Sequence, residues 1–301
     1  ELTLETSSNS SSGSPLSFFG EGGWGGEANG RGPWGEAFSI LIAARNEEAN
    51  LPYLLQDLAR QQAASGSFEV LIIDDHSIDG TAAVVAAAAP EMPFPLRLVR
   101  LQDQPGAPTG KKAAVEAGVK AARAPWVLLT DADCRLPAGW VRAYAAAVVR
   151  QPQARFLSGP VLLTGRGLLA TLQGLELAGL VGVGAASIRL GQPTMCNGAN
   201  LAYRRADFFA VRGFQGNEAV PSGDDEFLLH KLHAAFPGSI GVVQAPEAIV
   251  RTAAQPTLRQ LLGQRVRWAS KWRHYQAAAP RLLAVLVLLS NLMFPVGAGL
   301  W

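Results

Sequence analysis

Two aspartates separated by a single residue, Asp131 and Asp133, follow the apolar run Trp126-Val-Leu-Leu. A short apolar run of this kind, preceded by Pro125, predicts a buried β-strand. At the mouth of a strand, two carboxylates at this spacing can share one hard divalent cation, and that cation can hold phosphate oxygens. The alternative is a turn that carries two solvated aspartates, and the rest of the chain decides between the two interpretations.

Polar residues also follow two other apolar runs that predict buried strands. These are residues 38–44, followed by Arg45 and Glu47, and residues 68–73, followed by Asp74 and Asp75. Ligands bind beyond the carboxyl ends of strands in open α/β sheets, so these groups are candidates for binding a nucleotide. Two alternatives remain. Glu47 can act as an acid near the start of the next helix, and Ser77 or Asp79 can cap the helix after that.

The hydrophobic pattern predicts the elements that must position these groups. Residues 38–44, 68–73, 96–101 and 126–130 predict strands, and helical patterns lie between them, including residues 111–122. Strands that alternate with helices indicate βαβ units, an α/β fold class and a largely parallel sheet.

The second half of the chain has a more mixed pattern. Residues 156–163 predict a strand, and residues 196–204 predict a loop that continues into a strand. Residues 168–188 predict an apolar helix whose single acid, Glu176, would be costly in lipid. We therefore expect this helix to lie on the catalytic domain or at a membrane surface. A further helix begins near Asp224.

The C-terminal part of the chain is first basic and then apolar. Asp and Glu are absent after Glu247, seven Arg or Lys residues follow it, and residues 282–301 carry no charge. Residues 257–275 predict an amphipathic helix at an interface, and the uncharged end predicts a transmembrane helix with its basic side cytoplasmic. A re-entrant or buried helix is the alternative. With 49% hydrophobic and 17% charged residues and a first residue Glu1, we expect a piece of a longer membrane protein.

The two cysteines and four histidines indicate neither a disulfide framework nor a zinc site. Cys134 and Cys196 are interpreted as reduced thiols packed near a site. His230 and His233 would share a helical face, but no cysteine or acid cluster completes a zinc-ligand spacing around them.

Seven short motifs occur in a fixed order: Ala44-Arg45-Asn46-Glu47, Asp74-Asp75-x-Ser77, Gly110-Lys111-Lys112-Ala113, Asp131-x-Asp133, Asn197-Gly198-Ala199-Asn200, Asp224-Asp225 and Gln264-Arg265-Val266-Arg267-Trp268. The set resembles that of inverting family 2 glycosyltransferases, which use nucleotide sugars. The last motif is similar to the Gln-x-x-Arg-Trp of the membrane-associated members, such as cellulose, chitin, hyaluronan and poly-N-acetylglucosamine synthases. The resemblance covers roughly residues 38–275.

The resemblance implies a GT-A fold, with a Rossmann-like mixed sheet flanked by helices, and a site for a nucleotide diphospho-sugar, a UDP-sugar in particular. The implied donor-binding residues are Ala44, Arg45, Glu47, Asp74, Asp75, Lys111, Asp131 and Asp133. Asp133 is expected to ligate Mg²⁺ or Mn²⁺ directly, and Asp131 to contact the donor and support the metal site. Lys111 is interpreted as a helix-start lysine near the donor, because residues 106–112 do not match a Walker loop.

The resemblance also implies which residues act on the acceptor. Inversion needs a base that takes the proton of the attacking hydroxyl, and Asp225 matches it. Asp224 stands where the family more often has Glu, and it can instead act with Glu226 as a helix N-terminal acid. The further residues implied near acceptor or diphosphate are Asn197, Asn200, Gln264, Arg267 and Trp268. A basic amphipathic membrane helix is the alternative for the last three, and both roles can hold together.

The sequence thus predicts a low-complexity segment (residues 1–36), a catalytic domain (37–255), an interfacial helix (256–280) and a transmembrane helix (281–301). The expected activity is transfer of a sugar to a hydroxyl of a lipid or glycan at a bacterial-type inner or plasma membrane, with the catalytic domain cytoplasmic. Nucleic acid is not expected as a partner. The alternatives are a sugar nucleotidyltransferase of related fold and a non-catalytic sugar-binding membrane module.

Overall fold

A computed structural model describes residues 38–63, 67–103, 106, 108–217 and 223–270. The strands within these residues are β1 (Phe38–Ala44), β2 (Phe68–Asp74), β3 (Leu96–Arg100), β4 (Trp126–Leu129), β5 (Phe156–Ser158), β6 (Val161–Thr164), β7 (Leu201–Arg204), β8 (Ile240–Val242) and β9 (Val250–Ala253). The helices are α1 (Leu51–Ala59), α2 (Thr81–Ala88), α3 (Lys111–Ala121), α4 (Trp140–Arg150), α5 (Leu168–Arg189), α6 (Arg205–Ala210), α7 (Asp224–Ala235) and α8 (Leu258–Ser270).

Seven strands form one mixed sheet in the order β3-β2-β1-β4-β7-β5-β8. The strands β1 to β4 are parallel to one another, and β7 is antiparallel to both of its neighbours. The predicted α/β class with a largely parallel sheet is therefore confirmed. Because the parallel strands end at the same edge, the residues after β1, β2 and β4 are brought together.

Both faces of the sheet are covered by helices. Alternate residues of β1 point to opposite faces, so Ile40 and Ile42 join a core with α1, α2 and α4, whereas Leu41 joins a core with α3, α6 and α7. Burial on both faces explains why these strands are continuous apolar runs in the sequence.

The prediction of one strand over residues 156–163 is wrong. The chain forms β5 in the main sheet, turns at Gly159-Pro160, and forms β6 in a separate two-stranded sheet with β9. Proline has no N–H for a sheet ladder. A Cβ at Gly159 would lie 2.4 Å from the Tyr144 hydroxyl, so only glycine fits this turn.

The helix α5 agrees with the prediction for residues 168–188 and packs on the domain through residues such as Gln173, Leu177 and Ile188. Within the described ranges it is the one helix whose length and apolar composition suffice to cross a membrane, and 17% of its most apolar window is buried. The helix α8 (Leu258–Ser270) corresponds to the first part of the predicted helix over residues 257–275, and residues 271–280 of the predicted interfacial segment lie outside the described residues. The predictions for residues 1–36 and 281–301 lie outside the described residues.

Candidate active site

The two aspartates that follow β4 lie at the carboxyl edge of the sheet. The strand is buried over all four residues and is followed by Asp131 and Asp133, whose side chains face a cleft. Asp133 Oδ2 accepts a hydrogen bond of 3.3 Å from the Thr252 hydroxyl on β9. Partial burial in the cleft raises the pKa of Asp133, and the like charge of Asp131 raises it further. Asp133 is thus a partly buried carboxylate with a second carboxylate close by.

Lys111 begins α3 and supplies a cation to this cleft. Its Nζ lies 2.6 Å from Asp131 Oδ1. Burial lowers the pKa of Lys111, but the carboxylates of Asp131, Asp224 and Asp225 outweigh that effect and raise it. The lysine is therefore charged throughout the physiological range and sits among carboxylates from distant parts of the chain.

The first residues of α7 bring two more carboxylates to the same place. Asp225 Oδ2 accepts a hydrogen bond of 2.8 Å from the Gly198 N–H, and Oδ1 accepts one of 2.9 Å from the Glu226 N–H. A Cβ at Gly198 would lie 3.3 Å from Lys111 Nζ, so this glycine lets the lysine and Asp225 approach the loop closely. Asp224 is 9% exposed. Burial raises its pKa, although Lys111 opposes that shift.

A cavity of about 640 Å³ joins these groups. Among the residues singled out from the sequence, its lining contains Lys111, Asp131, Asp133, Asn197, Asp224, Asp225, Gln264, Arg267 and Trp268. Both aspartates after β4 and the acid at the start of α7 therefore face a single site.

Asp74 and Asp75, which follow β2, lie beside that cavity and not on its lining. Asp75 Oδ2 accepts a 2.8 Å hydrogen bond from the Gly110 N–H, directly before Lys111, and lies 3.8 Å from the Arg45 guanidinium. Asp74 is fully buried, and its Oδ1 accepts from the Ser77 N–H at 2.9 Å. Asp75 is thus the acid of this pair that is linked to the start of α3.

Ala44 and Glu47 lie at the end of β1, also outside the lining. Ala44 is buried, and its carbonyl accepts a 2.8 Å bond from the Asp75 N–H. Glu47 precedes the first turn of α1 and accepts a 2.7 Å bond from Asn50. Burial raises the pKa of Glu47, and the charges of Asp133 and Asp131 add to the shift. Glu47 therefore faces the aspartates after β4.

The prediction that Asn200 lines the site is wrong. The side chain has no exposed surface. Its Oδ1 accepts from Trp140 Nε1 and the Tyr144 hydroxyl, both at 2.9 Å, and its Nδ2 donates to two backbone carbonyls. The amide holds α4, β6 and β7 together because every one of its polar groups is used inside the core. Asn197, by contrast, lines the cavity.

Two of the α8 residues that line the cavity, Gln264 and Trp268, contact Arg265, which sequence analysis did not assign to the site. Arg265 donates to Gln264 Oε1 at 2.8 Å, and its guanidinium lies 4.3 Å from the centre of the Trp268 ring. It also forms an ion pair with Glu176 of α5. One face of Trp268 is therefore already occupied by a cation.

Three residues make contacts at or beside the site that the sequence did not predict. Thr252 reaches Asp133 from β9, a strand that the hydrophobic pattern did not reveal. Glu176 and Arg265 are 89 positions apart and meet only in the folded chain. Such hydroxyl and ion-pair partners can be recognised only from the contacts in the folded structure.

Comparison with known families identifies the family of this chain. The sequence profile of "Glycosyl transferase family 2" matches residues 39–159, and that of "Glycosyl transferase family group 2" matches residues 126–300, which is more than half of the chain. The chain belongs to glycosyl transferase family group 2.

Relatives of this chain match about a third of its length. The dolichyl-phosphate beta-glucosyltransferase of Dictyostelium discoideum is 32% identical over 102 residues, which cover 32% of this chain and 30% of that protein. The beta-monoglucosyldiacylglycerol synthase of a Nostoc species is 35% identical over 98 residues, covering 33% and 20%. The matched region thus spans less than a third of these relatives.

Solved structures confirm the GT-A fold. The mannosyltransferase of Pyrobaculum calidifontis, in complex with GDP-Man and Mn²⁺, has a TM-score of 0.62 at 19% identity over 84% of this chain and 68% of that one. S. aureus TarS has a TM-score of 0.53 at 21% identity over 72% and 60%. The finer resemblance to polysaccharide synthases stays a prediction.

The cleft of this family member offers carboxylate ligands for a divalent cation. Mg²⁺ is commonly held by one or two carboxylates together with substrate phosphates. Asp131 and Asp133 offer oxygen ligands, and burial raises the pKa of Asp133, with a further rise from the like charge of Asp131. Within the described residues no group of three or more His, Cys, Asp or Glu could hold a metal. The two carboxylates therefore fit a divalent cation whose remaining ligands would come from the phosphates of a bound nucleotide sugar.

Proposed function

We propose that this protein is an inverting glycosyltransferase that moves a sugar from a nucleotide diphospho-sugar, in particular a UDP-sugar, to a hydroxyl of a lipid or glycan at a membrane. One observation carries the proposal. The aspartates after β4, the Lys111 ammonium and the Asp225 carboxylate line the same cavity. A leaving diphosphate and a base for an attacking hydroxyl are needed within one site for this reaction.

The donor is proposed to bind across the carboxyl edge of the sheet. The nucleoside would lie at the ends of β1 and β2, near Arg45 and Asp75, and the diphosphate would extend past Lys111. The Arg267 guanidinium can pair with diphosphate oxygens in a bidentate manner. This arrangement places the sugar next to the start of α7.

Asp225 is the proposed base. Its two hydrogen bonds from backbone N–H groups fix the orientation of the carboxylate. As the acceptor oxygen bonds to C1 from the face opposite the diphosphate, the hydroxyl proton passes to Asp225 and the C1–O bond to the diphosphate breaks. The products are an inverted glycoside and a nucleoside diphosphate.

Asp133, with support from Asp131, would hold a divalent cation. When bound, Mg²⁺ or Mn²⁺ would neutralise the charge that develops on the leaving diphosphate. Neighbouring structures of the fold that contain Mn²⁺ with GDP-Man or with UDP support the choice of metal.

Membrane association is proposed from the outer surfaces of α5 and α8. In the part of the chain that the structure describes, eight of the twelve large exposed apolar residues lie on these helices or directly after α5: Leu168, Leu172, Leu175, Val183, Leu190, Leu258, Leu262 and Val266. Val266 also lines the cavity, whereas the other seven are not on its lining. Exposed apolar residues concentrated on two helices are typical of sites that contact lipid or protein. Relatives whose names include dolichyl phosphate and diacylglycerol support a lipid surface.

Release of UDP from a panel of UDP-sugars tests the reaction, with total lipids or oligosaccharides as acceptors and Mg²⁺ or Mn²⁺ present. Asp225→Asn should lower transfer about 100-fold or more while UDP binding persists. Asp103→Asn, which changes an exposed acid outside the cavity, is the matched control. Equal UDP release by wild type and Asp225→Asn would show that the base is misassigned.

The two alternative functions give different products in the same assay. A nucleotidyltransferase would release pyrophosphate from a nucleoside triphosphate and a sugar phosphate. A sugar-binding module would bind ligand without turnover. Absence of binding to every nucleotide sugar would contradict the proposed function itself.

A further inference from the structure

The two sides of the cavity differ in chemistry. One side carries the charged groups, including Lys111, Asp133 and Asp225. The other side is aliphatic and is formed largely by α5 and the residues packed against it: Leu163, Leu177, Leu180, Val181, Ala185 and Met195. On α5 these residues extend from 177 to 185, which corresponds to about 12 Å along the helix axis.

An aliphatic wall of this length is a poor match for a polysaccharide. Sugar hydroxyls held against leucine and valine would lose water without gaining hydrogen bonds, which costs free energy. Among the residues that the structure describes, Trp268 is the one aromatic side chain in the lining of this cavity, and Arg265 already covers one of its faces. A hydrocarbon chain, in contrast, gains free energy from contact with such a wall.

The same two helices connect this wall to the outside of the molecule. The inner face of α5 lines the cavity through Leu177, Leu180 and Val181, while its outer face exposes Leu175 and Val183. The helix α8 also lines the cavity, and it exposes Leu258 and Leu262 beside the polar residues Arg259 and Gln260. An amphiphile could therefore pass from an apolar surface into the cavity without leaving apolar contact.

We propose that the acceptor is an amphiphile whose hydrocarbon chain lies along the α5 wall while its hydroxyl reaches Asp225. This inference rests on the proposed transfer reaction and narrows its acceptor to a lipid. In that reaction the lipid oxygen bonds to C1, its proton passes to Asp225, and the nucleoside diphosphate leaves. The glycan acceptor becomes the alternative that the experiment must exclude.

Binding of simple probes tests the wall without knowledge of the natural head group. Calorimetry of the protein saturated with UDP and Mg²⁺ would compare alkyl β-glucosides from hexyl to decyl, below their micelle concentrations, with cellohexaose. We expect one site whose affinity rises about threefold with each added methylene, close to the value for burial of a CH₂ group. Cellohexaose should bind more weakly than decyl glucoside.

Val181→Gln places a polar side chain inside the cavity. In this variant the affinity for alkyl glucosides should rise less than twofold with each added methylene. Val149→Gln, an exposed valine of α4, is the matched control and should retain the wild-type dependence, which separates the cavity from general surface binding. Retained UDP affinity shows that a variant is folded.

An affinity that does not change with chain length would overturn the inference. So would tighter binding of cellohexaose than of decyl glucoside, or an unchanged dependence in Val181→Gln. These results leave UDP binding intact, so they contradict the lipid acceptor alone. Failure of the wild type to bind UDP contradicts the proposed function and the inference with it.

Discussion

Arg265 of α8 and Glu176 of α5 form a two-contact ion pair beside the cavity, with Arg265 Nε 3.1 Å from Glu176 Oε1 and a second contact between Nη2 and Oε2. Both side chains are about four-fifths buried, at 21% and 23% exposure. The pair joins the helix that carries Gln264, Arg267 and Trp268 to the helix that forms the aliphatic wall. It therefore fixes the position of these three residues relative to the acids of the cavity.

Loss of this pair should affect acceptor use more than donor use. Glu176→Gln removes a charged hydrogen bond worth about 1.5–3 kcal/mol. We expect about a tenfold rise in the acceptor KM with little change in UDP affinity. The charge-swapped double variant Glu176→Arg with Arg265→Glu should recover part of the loss. Glu116→Gln, which breaks the exposed pair with Lys120, is the control and should change neither constant. A rise in the donor KM alone would contradict this role.

Lys111→Met should weaken nucleotide binding in the absence of metal. The substitution removes the cation 2.6 Å from Asp131 and leaves the carboxylates of Asp131, Asp224 and Asp225 close to an anionic ligand. We expect the Kd for UDP without metal to rise about tenfold or more, equivalent to about 1.4 kcal/mol. Added Mg²⁺ should restore part of the affinity. Lys120→Met on the same helix is the control. Unchanged metal-free affinity would show that Lys111 does not face the diphosphate.

The buried Asp224 should make stability depend on pH. Its folded pKa lies above the ordinary value of 3.8 because of burial. A carboxyl with a raised folded pKa contributes stability fully below the unfolded pKa, and that contribution is lost as pH rises through the folded pKa. Asp224→Asn should therefore increase the free energy of unfolding at pH 7 relative to wild type, with the difference disappearing near pH 3.5. Urea unfolding at both pH values measures this. A variant that is less stable at pH 7 would contradict the prediction.

Substitution of Asn200 should lower stability, whereas substitution of Asn197 should lower activity. Asn200→Ala leaves the Trp140 and Tyr144 donors and two backbone carbonyls without their partner inside the core. The expected loss is about 3 kcal/mol or more of unfolding free energy, seen as a lower urea midpoint. Asn197→Ala, at the cavity lining, should lower transfer while changing stability by less than about 1 kcal/mol. Comparable stability of the two variants would show that the Asn200 contacts are weak.

The sequence by itself determined the parallel strands of the sheet and the order of the acids that follow them. Residues 38–44, 68–73 and 126–130 are apolar along their length because parallel strands are buried on both faces, so a local pattern reveals them. Asp131 and Asp133 directly follow one of these strands, and the sheet's geometry brings such ends together. The spacing of Asp224 and Asp225 at a helix start was also visible locally.

Only the tertiary structure decided which polar residues serve the site and which serve the core. Asn200 belongs to the same motif as Asn197, yet its amide is consumed by α4 and two carbonyls, whereas Asn197 faces the cavity. The Lys111 ammonium among three carboxylates, the Glu176–Arg265 pair and the contact of Thr252 with Asp133 all join distant positions. The physical reason is that hydrophobic period and turn chemistry depend on neighbours in the chain, while hydrogen bonds, ion pairs and burial depend on which elements pack together.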